Sequence, residues 1–181
     1  MFTKTAVAVL AAAGAAAAAP TATPNTFFGG IAIHSGSAIH NSGISADSGK
    51  LWISHAQNAS CDAGNKQDFA TFSIGEDGSA YLYTNGAPYQ QLWVDRSGMG
   101  RGNIGYTTGA QPAPRNAERT GFAVNADGHL TFGGSDGFYA CGSAEAGYAI
   151  WQQKFDDTCL PFAFRAQYTE TPVGCWYSES S

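Results

Sequence analysis

Past its N-terminal leader the chain reads as a single all-β domain, on three observations. Apolar residues recur in short alternating runs without helical spacing, as at Phe72 and Ile74, then Ala80 and Leu82. Turn signals at Asp77-Gly78, Asn85-Gly86 and Asp127-Gly128 punctuate those runs. The third observation is an internal echo: FSIGEDGSAYL, Phe72 to Leu82, aligns with FAVNADGHLTF, Phe122 to Phe132, with apolar residues at the same offsets from an Asp-Gly turn. A fainter copy spans Ile44 to Ile53, with Ile44, Asp47, Gly49, Leu51 and Ile53 in register after one insertion. One hairpin cannot bury its apolar face, whereas three together close a barrel, so the expected architecture is β-trefoil-like. A β-sandwich is the alternative, because Asp-Gly hairpins occur in sandwiches as well.

From the N-terminus, MFTKTAVAVLAAAGAAAAAP has one cation, Lys4, followed by a small and apolar run from Thr5 to Ala19. This is secretory-leader architecture, with cleavage expected after Ala18: residues 1–18 are a signal peptide, 19–26 a short linker and 27–181 the domain. The run is too short and too rich in alanine for a bilayer span. The C-terminal CWYSESS is not the hydrophobic tail of a lipid-anchor signal. The expectation is a secreted protein, retained in a wall or released, with no membrane partner.

Within the domain, Ile31 and Ile33 are expected to set the inward phase of a first strand, which turns His34 outward. The string Gly98-Met99-Gly100-Arg101-Gly102 superficially matches a phosphate loop, but no helix pattern follows it. Its glycines are expected to permit tight left-handed turns instead. The Gln111-Pro112-Ala113-Pro114 stretch reads as an extended connector between hairpin units.

Four cysteines, Cys61, Cys141, Cys159 and Cys175, survive cleavage. An even number in a secreted chain without a Cys-x-x-Cys pair points to two disulfides rather than a zinc site. Three connectivities are open, and a bridge from Cys61 to a C-terminal cysteine would constrain the unfolded chain most.

Charged residues are only 13% of the chain, and with Lys4 removed 8 basic and 14 acidic side chains give a net charge of −6. No basic cluster is present to neutralise phosphates, which excludes nucleic acid as the partner. Histidines 34, 40, 55 and 129 show no metal-ligand spacing. Glu76-Asp77, Asp127 and Asp156-Asp157 fall in turns, where aspartate caps backbone N–H groups. No Gly-x-Ser-x-Gly elbow is present and Cys61 lacks a catalytic setting, so the chain reads as a non-enzyme without cofactor or metal. Asn58-Ala59-Ser60 is an N-glycosylation sequon, and Asn58 is expected to carry a glycan. Tyr81 and Tyr83 flank Leu82 in alternation, so one strand face carries both rings, the first candidates for stacking on a sugar.

The segment VDRSGMGRGNIGYTTGAQPAPRNAER, Val94 to Arg119, with IAIHSGSAI and QNASCD before it, resembles the signature of the fungal PhiA family. Its members are secreted cell-wall proteins tied to phialide and conidium development, sometimes described as IgE-binding. The resemblance implies a non-catalytic part in wall organisation, with wall polysaccharide or other wall proteins as non-covalent partners. A secreted module for a wall polysaccharide or a host defence protein is the second reading, and a wall-glycan hydrolase the third. A fainter likeness to the four-cysteine C-terminal domain of PIR cell-wall proteins runs through GFAVNADGHLTFGGSDGFYAC, YAIW and Cys159. The chain lacks the repeat whose glutamine links PIR proteins to β-glucan, so any wall retention is expected to be non-covalent or through disulfides.

Overall fold

The computed structural model describes residues 26–108 and 110–179; the expected leader and most of the linker lie outside the described residues. Among the described residues there are fourteen strands, a 3-10 turn at Asp62–Gly64 and no α-helix. The first six strands are β1 (Phe27–Ile33), β2 (Ile44–Asp47), β3 (Lys50–Ile53), β4 (Ala59–Cys61), β5 (Thr71–Ile74) and β6 (Ala80–Leu82). There follow β7 (Gln90–Asp95), β8 (Asn103–Thr107), β9 (Phe122–Val124) and β10 (Leu130–Phe132). The last four are β11 (Gly137–Ser143), β12 (Gly147–Trp151), β13 (Leu160–Thr169) and β14 (Cys175–Tyr177).

The three echoed segments each form a hairpin: β2–β3, β5–β6 and β9–β10. The latter two share one turn. Gly75 N–H donates to Ser79 O (2.8 Å) and Gly78 N–H to Gly75 O (3.0 Å), just as Asn125 N–H donates to His129 O (2.9 Å) and Gly128 N–H to Asn125 O (3.0 Å). Gly78 and Gly128 both stand at φ +77°, which an L side chain tolerates poorly.

The barrel is closed by nine strands, in the order β1-β5-β6-β7-β8-β3-β12-β11-β13 and back to β1. The ring is therefore not built from three equivalent hairpins, as a strict trefoil would be. Unit β5–β6 lies wholly in the wall, β2–β3 gives it one strand, and β9–β10 is a separate ribbon whose entry, at the Gly121 and Phe122 amides, donates to the Gly78 carbonyl (3.1 and 3.0 Å). Similar local hairpins reach unequal places because closure depends on long-range partners such as β1 and β13, paired through all seven residues of β1.

The first strand has the opposite phase to that expected. Phe28, Gly30 and Ala32 point into the core, while Ile31 and Ile33 are half-buried on the outside. The reason is space. A Cβ at Gly30 would lie 2.2 Å from the Phe164 ring, so the missing side chain is where Phe164 and Ile44 pack. His34 falls just beyond the strand and is half-buried; its N–H donates to His40 Nδ1 (3.2 Å).

The lumen is filled with side chains. Phe28 and Phe72 stack (5.8 Å between centroids), Phe72 meets Phe164 edge-on (5.6 Å), and Leu82, Leu92, Ile104 and Phe138 pack round them at 1–2% exposure. A barrel of about this size holds a packed interior or one small ligand, and here the interior is packed. The β4–β14 ribbon brings the C-terminal chain back to the wall, with Cys61 directly opposite Cys175. Tyr177 is fully buried. Its hydroxyl accepts from Thr71 N–H (3.0 Å), and its backbone is matched by the buried side chain of Gln90, which donates to Tyr177 O (2.7 Å) and accepts from Tyr177 N–H (2.9 Å).

The Gly-rich tract is structural. Of the glycines expected to take left-handed turns only Gly102 (φ +78°) does so, beside Arg101 (φ +49°), and β8, not a helix, follows. Gly100 packs on Asp95, and Gly105 lets the Trp93 ring lie against the wall, where a Cβ would come within 2.5 Å. Val94 and Glu118 exchange backbone hydrogen bonds (2.9 and 2.8 Å), and Arg96 Nε donates to Glu118 Oε1 (2.8 Å), which ties β7 to the connector that leads to β9.

Candidate functional site

With the lumen filled, the candidate site lies on the outer surface. Side chains two apart on a strand share a face, so Tyr81, and Tyr83 just past β6, point outward while Leu82 between them is buried at 1% exposure. The structure brings two further rings to them. Phe27 on β1 reaches across β5 to lie 4.3 Å from the Tyr83 ring, and Tyr89, 63% exposed before β7, meets Tyr81 edge-on at 6.2 Å. The four rings line an open groove of about 470 Å³, with Ser73 and Thr84 as polar neighbours. Tyr83 is held in place: its hydroxyl donates to Asn85 Oδ1 (2.6 Å), its N–H to Thr71 O (2.8 Å), and its carbonyl accepts from Cys175 N–H (3.0 Å). Phe27 is not among the stacking candidates that the sequence offers, and Tyr89 is one of its many aromatics with no local signal that sets it beside Tyr81. The register Phe27↔Ser73↔Tyr81↔Gln91 aligns the strands that carry them, and it exists only once the ring is assembled.

A second aromatic cluster, on β3 and β12, is already engaged with protein groups. Trp52 stacks on His55 (4.6 Å) and Trp151 on Phe155 (5.0 Å), while Lys50 and Arg101 lie over Trp151 and Phe155 at 6.0 and 5.7 Å. Those rings have less free face for a ligand.

The four cysteines form two disulfides, Cys61–Cys175 and Cys141–Cys159, one of the connectivities left open by the sequence. Asn58 and Ser60 of the sequon are exposed, immediately before and within β4. At the expected aspartate turns, Asp77 accepts from Ser79 N–H (2.9 Å), and Asp156 accepts from the Thr158 hydroxyl (2.6 Å) and Thr158 N–H (2.8 Å); these bonds hold both carboxyls below the usual range. In the third turn Asn125, not Asp127, does this, accepting from Asp127 N–H (3.1 Å) and His129 N–H (2.9 Å). Among the described residues no group of three or more His, Cys, Asp and Glu is placed to hold a metal ion, and no helix is long and apolar enough to cross a membrane.

Sequence reasoning also missed a latch around Asp47. Its carboxylate meets His55 Nε2 (2.8 Å) and accepts from the hydroxyls of Ser48 (3.0 Å) and Ser178 (2.8 Å). Serine, histidine and aspartate meet here, but the Ser178 hydroxyl donates to Asp47 rather than to the imidazole, so His55 is not placed to take its proton. The cluster instead pins the C-terminal segment to the β2–β3 hairpin. Burial alone would raise the Asp47 pKa, yet hydrogen bonds from His55, Ser178, Ser48 and Asn58 bring it below the ordinary value of about 3.9. A depressed carboxyl stabilises the fold above its unfolded pKa, and that contribution is lost as pH falls through its native value. Asp47→Asn is therefore expected to melt lower at neutral pH and to lose less melting temperature than the parent between pH 5 and pH 2, as read by circular dichroism. Glu118, held down by Arg96, keeps part of the acid sensitivity in both proteins.

The family profile described as PhiA-like secreted protein matches residues 28–178, nearly all of the described chain. The cell wall protein phiA of Aspergillus fumigatus is 43% identical over 180 residues, covering 96% of this chain and 96% of its own. The proteins of the same name from Aspergillus niger (43% over 178 residues, 94% and 95% covered) and Emericella nidulans (41% over 182 residues, 96% and 98% covered) agree with it. No solved structure matches. These relatives give the protein an extracellular, cell-wall location. By that coverage and identity the chain belongs to the PhiA-like family of secreted proteins.

Proposed function

We propose that the protein is a non-catalytic wall glycoprotein that holds wall polysaccharide non-covalently in the groove of Phe27, Tyr81, Tyr83 and Tyr89, and so helps organise the wall as phialides and conidia form. The convergence of these four rings in an exposed groove on a barrel with a filled lumen carries the reading. Aromatic faces are electron-rich and pack against the C–H faces of pyranose rings, while hydroxyls at the rim supply hydrogen bonds. The hydrogen-bond order at Asp47, His55 and Ser178 supports a structural role for that cluster. The exposure of Asn58 supports an N-glycan there, on a flank of the β4–β14 ribbon.

Co-sedimentation of the mature protein with insoluble β-glucan, chitin and whole walls tests the proposal. Saturable binding to a wall polymer is expected, with affinity falling about tenfold in Tyr81→Ala/Tyr89→Ala, the loss of roughly one ring-stacking contact per site. A parent protein that sediments with none of the polymers would sink the polysaccharide reading and shift attention to protein partners.

A further inference from the structure

A second groove, of about 360 Å³, lies on the same outer wall. Its floor is Gly29, opposite Thr71 on β5 and Gln167 on β13. Phe27 and Gly29 are two apart on β1 and share the outward face, so the two grooves are neighbours along one strand. The absent side chain at Gly29 makes the depression: the Phe69 ring, 43% exposed, lies over it, and an added Cβ would be 3.3 Å from Phe69 Cδ2. Around the ring stand the amides of Gln67 and Gln167 and the hydroxyl of Thr169, while Thr71, buried below them, donates its hydroxyl to Gln67 Oε1 (3.5 Å). Among the described residues no charged side chain lines either groove.

We infer that the two grooves are consecutive subsites for one neutral polysaccharide chain, a glucan or a chitin-type polymer, laid across strands β13, β1, β5, β6 and β7. The inference rests on the proposed function and names its ligand class. Five adjacent strands span about 19 Å at the usual strand spacing, enough for several sugars in line. Each amide presents donor and acceptor together, which suits neighbouring hydroxyls of a pyranose, and the exposed ring suits its C–H face. An acidic polymer finds no cation lining either groove and meets a chain that, without Lys4, carries 8 basic and 14 acidic side chains, a net charge of −6. Two subsites on one rigid wall convert the second contact into an intramolecular event, so affinity rises with chain length.

The test is calorimetric titration of the full secreted protein with short and long soluble β-glucan and chitin oligomers, and with a polyuronate. The parent is expected to bind one neutral polymer more tightly as its length grows. Phe69→Ala/Gln167→Ala, both at exposed positions, is expected to lower long-chain affinity about tenfold, towards the value for short oligomers. Gly29→Val, which fills the floor and keeps the rings, is expected to do the same. Matching near-ultraviolet circular dichroism establishes that each variant is folded. Unchanged long-chain affinity in both, or tighter binding of the polyuronate, overturns the inference. If Tyr81→Ala/Tyr89→Ala still weakens binding in that case, the tyrosine groove stands alone. Absence of binding by the parent overturns both.

Discussion

Removing the Cys61–Cys175 bridge with a Cys61→Ala/Cys175→Ala double substitution is expected to cost about 4.7 kcal/mol, the loop-entropy figure for closing roughly 100 residues. The two cysteines are 114 residues apart in sequence, and they face each other across β4 and β14, so the bridge closes most of the domain into one loop. The Cys141–Cys159 bridge spans only 18 residues between β11 and the approach to β13, and its removal should cost about 3 kcal/mol. Equilibrium unfolding in urea of the parent and the two double variants checks the order. A larger loss from the short bridge would mean that the unfolded chain keeps structure near its termini. Since small domains are stable by about 5–15 kcal/mol in all, the long-bridge variant is expected to lose from about a third to nearly all of its stability.

Gln90→Leu is expected to cost roughly 2–6 kcal/mol and to release the C-terminal strand. Gln90 is fully buried, and its side-chain amide satisfies both the N–H and the C=O of Tyr177 while also donating to Glu179 Oε1 (3.1 Å). Leucine matches its volume but leaves two buried backbone groups unpaired, at about 1–3 kcal/mol each. Hydrogen exchange reads the effect directly: the Tyr177 amide should lose protection by several orders of magnitude, while amides in β1 and β13 follow only the global stability. Tyr177→Phe is the milder comparison, since it removes only the acceptor for Thr71 N–H. An unprotected β14 in Tyr177→Phe with a protected one in Gln90→Leu would reverse this assignment of the clamp.

The clamp, the Asp47 latch and the long disulfide act on the same short tail. Among the described residues β14 hydrogen-bonds to one strand, β4, and three residues of pairing are marginal in water. The covalent bridge, the Gln90 amide and the Ser178–Asp47 contact supply what the ladder lacks, and all three join residues more than 80 positions apart. Because Cys175 N–H also bonds to Tyr83 O, the docked tail supports the strand that carries the groove rings. Loosening of the groove is thus expected to accompany loss of the tail.

Local chemistry made several features legible from residues alone. The Asp-Gly hairpins at Asp77-Gly78 and Asp127-Gly128 form because glycine at positive φ suits the turn, and the repeated offsets around them reproduce the same hydrogen bonds. Tyr81 and Tyr83 share a face because strand periodicity is two. The PhiA signature identified the family, although its glycines turn out to serve packing against Asp95 and Trp93. The phase of β1 is the reverse of the one Ile31 and Ile33 suggest, because the core there is filled by Phe164 and Ile44 entering above Gly30.

What the sequence by itself determined is what depends on neighbours within a few positions: the all-β class, the hairpin turns, the even set of cysteines, the sequon at Asn58 and the outward pair of tyrosines. The tertiary structure alone decided ring closure through β8, β3 and β12, the partners of Cys61 and Cys141, the burial of Gln90 against Tyr177, and the arrival of Phe27 and Tyr89 beside Tyr81. The physical reason is that turn geometry and side-chain alternation are set by short-range sterics, while strand order and register are chosen by which distant apolar faces fill one another.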